Sequence, residues 1–254
     1  HNPNGSLDPS FGINGVDLTN YGIGFDEANS IAIQADGRIV VAGRTTANGL
    51  DSSFAIVRYE ANGSLDPSFG NGGKVLSNFT ASHDSAATIL VQPDGKLVVI
   101  GSLANDSDSA ILRYNANGSI DTAFGSNGLI SPPIFAGGIA LQIDGKILVS
   151  GTSPSSDGGT FAVARLGPNG SPDASFGVGG IVIAAFPGGP SGAGSISVQP
   201  DKRIVAAGWA SVNGRSAFAV ARVNPDGSLD KHFGVDGKVT TKLTSNTDYL
   251  GSIA

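Results

Sequence analysis

The chain repeats one phrase along its whole length. Gly-Ser-Leu-Asp-Pro-Ser-Phe-Gly at 5–12 returns almost unchanged at 63–70, and three later copies carry more substitutions. Each copy contains a Phe-Gly step, and the five phenylalanines are separated by 58, 55, 52 and 57 residues: Phe11, Phe69, Phe124, Phe176 and Phe233. Repeats of this length form solenoids or propellers, and the period is long for a helical hairpin but suits a four-stranded sheet.

The interior of one repeat predicts four strands. Residues 30–34 and 39–43 flank the Ala-Asp-Gly-Arg turn at 35–38, and Asp-Gly suits the tight turns of hairpins. Residues 53–59 form a third predicted strand and Gly73-Lys74-Val75-Leu76 a fourth. We expect the second strand of the successive repeats to end at Gly43, Gly101, Gly151 and Gly208. We therefore predict an all-β fold, a β-propeller-like array of four-stranded antiparallel repeats. A stacked β-solenoid is the alternative, because repeat length does not decide between linear stacking and radial closure.

The repeat pattern divides the chain without leaving room for a second kind of domain. We predict a single repeat domain over 1–254. Its parts are a partial repeat that supplies a last strand (1–29), four repeats (30–86, 87–137, 138–193 and 194–250) and the start of a further repeat (251–254).

Opposite charges recur at a fixed offset. In every full repeat the arginine that ends the third strand stands eight residues before the motif aspartate: Arg58 and Asp66, Arg113 and Asp121, Arg165 and Asp173, Arg222 and Asp230. A fixed offset predicts a fixed contact. A charged ring at a binding mouth is one interpretation, but an interaction needed in every unit is most simply a structural ion pair, and the planar Arg fork suits a carboxylate.

These motifs carry a resemblance. Gln-x-Asp-Gly-Lys, Phe-Ala-x-x-Arg-Tyr and Asn-Gly-Ser-Leu-Asp-x-x-Phe-Gly-x-x-Gly-Lys-Val together resemble the delta-60 repeat of large bacterial surface and secreted proteins, over essentially the whole chain. Pro172 replaces the motif Leu, and Lys202 replaces the turn Gly of the last hairpin. The resemblance implies a propeller-like array in extracellular proteins of no settled activity, and it brings no catalytic residues.

Composition agrees with an exported protein, and the resemblance implies that it is bacterial and either secreted or displayed on the cell surface. The chain has no Cys and no Met, which excludes disulfides and cysteine–zinc sites. Its net charge of −6 argues against nucleic acid as a partner. No 18-residue apolar run occurs, so we predict no membrane span.

Catalytic and metal signals are weak. Ser82-His83-Asp84 imitates a triad, but a triad brings side chains together from separate elements, whereas neighbours in a loop point apart. We therefore predict no enzyme and no cofactor, with calcium at Asp106 and Asp108 as the one weak metal candidate, because their spacing resembles a calcium loop that lacks its Gly and Glu.

Residues that break the repeat are the best candidates for a ligand surface. Trp209, the only tryptophan, follows Gly208 where other repeats carry Arg, Ser or Thr, and it either stacks on a sugar ring or packs against the next sheet. Tyr21, Phe79 and Tyr249 lie in connections between repeats, where we expect aromatic side chains to line a ligand-binding end face.

Both ends of the sequence fall inside a repeat. Asp8 has no arginine partner, and Ser252-Ile253-Ala254 matches the strand opening Ser30-Ile31-Ala32. The incomplete repeats predict termini that meet in one blade, a window from a longer protein, or self-assembly in which another copy donates strands.

The sequence therefore predicts a non-catalytic extracellular structural or interaction module, adhesive or filament-forming. Its expected partners are other protein chains or surface polysaccharide. The alternatives are a carbohydrate-binding, lectin-like propeller and a propeller enzyme that acts on polysaccharide at an end face.

Overall fold

The fold consists of sixteen strands in four antiparallel sheets. In a computed structural model, the described residues are 1–22, 24–46, 51–80, 83–103, 108–156 and 158–243. The strands are β1 (Asp26–Ile33), β2 (Ile39–Thr45), β3 (Ser53–Tyr59), β4 (Lys74–Ser77), β5 (Ser85–Val91), β6 (Leu97–Leu103), β7 (Asp108–Tyr114), β8 (Leu129–Ile130), β9 (Phe135–Leu141), β10 (Ile147–Ser153), β11 (Thr160–Leu166), β12 (Ile181–Ile183), β13 (Ser191–Val198), β14 (Ile204–Val212), β15 (Arg215–Val223) and β16 (Lys238–Thr241).

Each sheet follows the order of the sequence. The first sheet has the order β1-β2-β3-β4, and the second, third and fourth repeat it with β5–β8, β9–β12 and β13–β16. The predicted hairpin turns close the first two strands of each sheet. The hairpin turn of the fourth sheet shows why Gly is common at this position of the turn. Lys202 adopts φ +68°, close to the +81° of Gly95 at the matching position of the second sheet. No helix that could span a membrane occurs in the part of the chain that the structure describes.

Two compact units divide the chain at residue 129. In the first unit, Val40 and Phe54 of the first sheet share a buried core with Leu97 and Leu112 of the second. In the second unit, Phe161 of the third sheet and neighbouring apolar residues share a core with Ile196, Ile204, Ala206 and Ala219 of the fourth. Sheet-on-sheet packing inside each unit therefore uses matching positions of the repeat.

A recurring glycine lies inside the second strand of each sheet. We expected these strands to end at Gly43, Gly101, Gly151 and Gly208, but they continue to Thr45, Leu103, Ser153 and Val212. The neighbouring strand shifts register beside each glycine, as between Ala86 and Thr88 opposite Gly101. A Cβ on Gly101 would collide with the carbonyl oxygen of Ser85, so glycine permits the close approach at a β-bulge rather than ending a strand.

Candidate functional site

The four predicted charge pairs form in every sheet. The closest nitrogen–oxygen distances are 2.7 Å for Arg58–Asp66, Arg113–Asp121 and Arg165–Asp173, and 2.8 Å for Arg222–Asp230. Three of the pairs are almost fully buried, and the Arg222 side chain keeps 22% of its exposure. The third strand of each repeat is thereby tied to the long connection that leads to the fourth.

Each motif aspartate also organises its own turn. Oδ1 of Asp66 accepts hydrogen bonds from the amide and the hydroxyl of Ser68, at 2.9 and 2.6 Å. Burial opposes ionisation of Asp66, but these hydrogen bonds and the one from Arg58 outweigh it and lower the pKa of the carboxyl. The Ser175 hydroxyl is the largest cause of the lowered pKa of Asp173, and the His232 amide has that role for Asp230. The four carboxylates are charged at neutral pH.

A second cation reaches each aspartate from the hairpin between the first two strands. Lys96 Nζ lies 3.0 Å from Oδ2 of Asp121, and Lys146 lies 3.0 Å from Asp173. Arg38 and Arg203 make the corresponding contacts in the first and fourth sheets, both at 3.2 Å. The sequence interpretation included these positions in the motif but did not assign them a partner. Each aspartate is thus the centre of a small charge network.

The arginines stack on the motif phenylalanines. The guanidinium carbon lies 4.3–4.6 Å from the ring centroid in the pairs Arg58–Phe69, Arg113–Phe124, Arg165–Phe176 and Arg222–Phe233. Such cation–π contacts stabilise a desolvated guanidinium. Together with the ion pairs, these stacking contacts hold the recurring charged residues against one another inside each repeat. This placement fits the interpretation of the four pairs as structural ion pairs.

The triad-like residues are separated by their own contacts. Nδ1 of His83 accepts a hydrogen bond from the backbone amide of Ser52, with 3.2 Å between the two nitrogens. Asp84 is fully buried, and its Oδ2 accepts the amides of Phe79 and Thr80 at 2.8 and 3.0 Å. Ser82 lies outside the described residues. The aspartate therefore holds the loop that contains Phe79 and Thr80.

The calcium candidates fall largely where the structure gives no description. Asp106 lies outside the described residues, and Asp108 opens β7 but its side chain is not described. Within the described part of the chain, no group of three or more potential ligands lies close enough to hold a metal ion. Calcium binding stays a prediction.

Two of the aromatic candidates are packed into the first unit. The Tyr21 hydroxyl lies within hydrogen-bond distance of the carbonyl oxygens of Ile56 (2.8 Å) and Val75 (3.1 Å), and burial raises its pKa. Phe79 meets Phe54 edge to face at 5.7 Å. Both side chains therefore make contacts within the chain and stay partly exposed, and Tyr21 also lines a cavity of about 200 Å³, so their ligand-surface role stays a prediction. Tyr249 lies outside the described residues.

Trp209 lies within β14 and is 37% exposed. Its cross-strand neighbours are Gly192 on β13 and Phe218 on β15. A Cβ on Gly192 would lie 3.1 Å from the indole nitrogen, so the absence of a side chain there makes room for the indole. The tryptophan thus packs on its own sheet and keeps part of its surface accessible.

One face of the fourth sheet is only partly covered. Along β14 and β15, the residues that fill the core of the second unit alternate with Val205, Phe218, Val220 and Trp209. Because successive strand residues point to opposite faces, these four side chains point away from that core. We call these four residues the outward face. Their counterparts in the first sheet include Val40, Phe54 and Ile56, which have no exposed surface because the second sheet covers them.

Besides a cavity of about 570 Å³ lined by Gly177, Val182 and Gly227, the second unit has two cavities near this sheet. One, of about 510 Å³, is lined by Phe186, Gly234, Lys238, Val239 and neighbouring residues. The other, of about 310 Å³, is lined by residues of the first hairpins of the third and fourth sheets, among them the glutamines at 142 and 199. Within the described structure, Oε1 of both glutamines, like that of the matching Gln34 and Gln92, is buried without a hydrogen-bond partner.

Two solved structures resemble the chain distantly. Drosophila Plexin A in complex with Semaphorin 1b is 12% identical with a TM-score of 0.34, over 79% of this chain and 54% of that chain. Drosophila Semaphorin 1b, extracellular domains 1–2, is 15% identical with a TM-score of 0.36, over 77% of this chain and 51% of that chain. The chain thus spans about half the length of these structures. No curated protein matches it.

The repeats themselves match a known family. Residues 34–69, 92–124, 142–176 and 199–233, more than half of the chain, match the family described as "Domain of unknown function (DUF5122) beta-propeller". The match and the four antiparallel four-stranded sheets confirm the all-β, propeller-like prediction. The chain therefore belongs to this β-propeller family of unknown function.

Proposed function

We propose that the chain is a non-catalytic extracellular module that binds other proteins, in an adhesive or filament-forming role. The resemblance to delta-60 repeats supports a bacterial secreted or surface location. The recurring charges support a scaffold role, because Arg58, Asp66 and their equivalents are engaged with one another rather than directed at a common site.

The outward face of the fourth sheet carries the proposal. Phe218 and Val220 are partly exposed there, whereas the matching Phe54 and Ile56 are fully buried under a neighbouring sheet. Exposed apolar surface that is built like a sheet-packing interface marks a site for protein association. Trp209 extends this surface with an aromatic side chain of the kind that anchors protein interfaces.

The test is binding by the full chain to a defined panel of purified surface proteins and polysaccharides. Phe218→Ser should abolish binding to a protein partner, because it replaces a large apolar side chain of the outward face with a small polar one. Phe135→Ser is the matched control, since Phe135 is 50% exposed on β9 of the same unit. A partner that binds both variants equally, or turnover of a polysaccharide without protein binding, would contradict the proposal.

Carbohydrate binding is the second candidate function, and the smaller cavity favours it. Two buried amide oxygens, on Gln142 and Gln199, need hydrogen-bond donors, and sugar hydroxyls supply donors to cavities of this size. Gln142→Leu should abolish glycan binding measured by calorimetry. Gln34→Leu, the same change at the matching position of the first sheet, should leave it unchanged.

A further inference from the structure

The fourth sheet has a lysine where the other three sheets have glycine. Lys202 occupies the hairpin-turn position of Gly37, Gly95 and Gly145. Its φ of +68° is a left-handed conformation, which a residue with a side chain adopts at a cost in stability. Glycine would suit this backbone better, so the reason for the lysine lies in what its side chain does outside the turn.

The ammonium group of Lys202 is available to a ligand. The residue is exposed, and no carboxylate of the described residues forms a salt bridge with it. The neighbouring cations are engaged, because Arg203 lies 3.2 Å from Asp230. Lys146, on the matching hairpin of the third sheet, lies 3.0 Å from Asp173. Within the described part of the chain, Lys202 is therefore the cation of these two hairpins whose charge is not neutralised.

Lys202 lines the smaller cavity of the second unit. This cavity, of about 310 Å³, lies between the first hairpins of the third and fourth sheets, and Gln142, Asp144 and Gln199 also line it. Gln142 is only 8% exposed, and within the described structure Oε1 of neither glutamine has a hydrogen-bond partner. The cavity therefore combines a positive charge with hydrogen-bonding groups that the chain does not use.

The lysine distinguishes this cavity from the matching hairpins of the first unit. Gln34 and Gln92 also have a buried Oε1 without a partner in the described structure. Their hairpins have glycine at the position of Lys202 and therefore lack its charge. The glutamines recur in every repeat, whereas the charge beside them is particular to the fourth sheet.

The remaining groups of the cavity suit a sugar ring. Ile143, Val198 and Pro200 contribute apolar surface, and Ile143 is 99% exposed. The C–H groups of a sugar ring pack on such a surface while its hydroxyls bond to the polar groups around it. The amide of Lys202 donates to the carbonyl of Gln199 at 2.9 Å, so the turn is preformed and binding requires little ordering of it.

We propose that this cavity binds an acidic sugar, a uronate residue of a polysaccharide. The carboxylate of the sugar pairs with the ammonium of Lys202. Its hydroxyls form hydrogen bonds with the amides of Gln142 and Gln199 and donate to the carboxylate of Asp144. The inference rests on carbohydrate binding, the second candidate function, and names the class of sugar that the same site takes.

The experiment is calorimetry of the full chain with oligomers of galacturonic, glucuronic and mannuronic acid. Each oligomer is used as the free acid and as its methyl ester, which removes the charge and keeps the sugar. At neutral pH and low salt, at least one free acid should bind at least about fivefold more tightly than its ester, the gain expected from a partly exposed ion pair. Salt at about 0.5 M should reduce this preference, because it screens the charges.

Lys202→Gly removes the charge and restores the residue of the other hairpins. The variant should bind the free acid and the ester equally. Its melting temperature should not fall, because glycine adopts the positive φ without strain, and a lost preference is then not the result of unfolding. Lys231→Ala, at another exposed lysine of the fourth repeat, is the control and should keep the preference of the wild type.

The possible failures point to different conclusions. Equal binding of every free acid and its ester by the wild type overturns the inference, and so does a preference that Lys202→Gly retains. If acids and esters bind equally and Gln142→Leu abolishes that binding, carbohydrate binding stands and only the acidic class of sugar is wrong. If neither the acids nor the esters bind, the inference and the carbohydrate function on which it rests are both wrong.

Discussion

The guanidinium of Arg113 lies over the ring of Phe124, with 4.4 Å between the guanidinium carbon and the ring centroid. The same arginine donates from Nε to Asp121 at 2.7 Å. One side chain therefore joins the third strand of the sheet to the aspartate and the phenylalanine of the following connection. This contact explains why all three residue types recur together.

Arg113→Ala should lower the free energy of unfolding by about 3 kcal/mol, because it leaves a buried carboxylate with one partner fewer and removes the cation–π contact. Urea unfolding followed by circular dichroism measures the change. Lys231→Ala, at an exposed position, is the control and should cost no more than about 0.5 kcal/mol. Equal midpoints for the two variants would show that the buried pair does not stabilise the repeat.

The motif aspartates predict how the protein responds to acid. The pKa of Asp66, Asp121, Asp173 and Asp230 lies below the ordinary value of 3.8 in the folded state. A lowered folded pKa adds stability that is present above the unfolded pKa and is lost as the pH falls through the folded pKa. The free energy of unfolding should therefore be nearly constant from pH 7 to about 4 and fall below that.

Asp121→Asn tests the assignment of this acid dependence. The variant should be less stable at pH 7 and should lose less stability than the wild type between pH 4 and pH 2, because one of the four titrating groups is gone. Urea midpoints at several pH values give both numbers. If the variant loses as much stability as the wild type between pH 4 and pH 2, Asp121 does not contribute to the acid transition.

Sequence alone predicted the contacts that keep a constant spacing. The offset of eight residues between Arg113 and Asp121 recurs in every repeat because no variable loop lies between them. The offset of eleven between Arg113 and Phe124 is equally constant, so the same spacing argument applies to the stacking contact. The contact of Lys96 with Asp121 was not detectable in this way, since the loop between the second and third strands varies in length and changes the offset.

The glycine columns show a different limit of sequence reasoning. Glycine at Gly101 and its equivalents was interpreted as a strand end, which is its commonest meaning beside a polar loop. Its actual role depends on the bulge in the neighbouring strand and on the Phe54 ring of the adjacent sheet, which local sequence does not specify. The contacts of Tyr21 are beyond local sequence for the same reason, because the carbonyls that hold its hydroxyl are distant in the chain.

Gly101→Ala should destabilise the first unit by about 2 kcal/mol or more, in the range for overpacking a filled site. The added Cβ would collide with the carbonyl of Ser85 and lie 2.7 Å from Cε1 of Phe54. Gly194→Ala is the matched control, because a Cβ there would meet nothing within 4 Å. The measurement is the melting temperature of both variants. A similar decrease in the two would contradict the role of Gly101 in the close approach at the bulge.

Calcium binding at Asp106 and Asp108 predicts a melting temperature that depends on the metal. A ligand that binds only the folded state raises the melting temperature, so calcium should raise it relative to chelator. The double variant Asp106→Asn with Asp108→Asn should remove the difference. Identical melting curves for the wild type in calcium and in chelator would exclude a stabilising site.

Trp209 should contribute to binding more than to stability. Its indole packs on Gly192 but remains 37% exposed, whereas Phe161 is fully buried in the core of the same unit. Trp209→Ala should therefore cost about 1 to 2 kcal/mol of unfolding free energy, and Phe161→Ala about 3 to 5 kcal/mol. Circular dichroism is the measurement, because the first variant has no tryptophan fluorescence. A loss as large as that of Phe161→Ala would make Trp209 a core residue and remove it from the outward face.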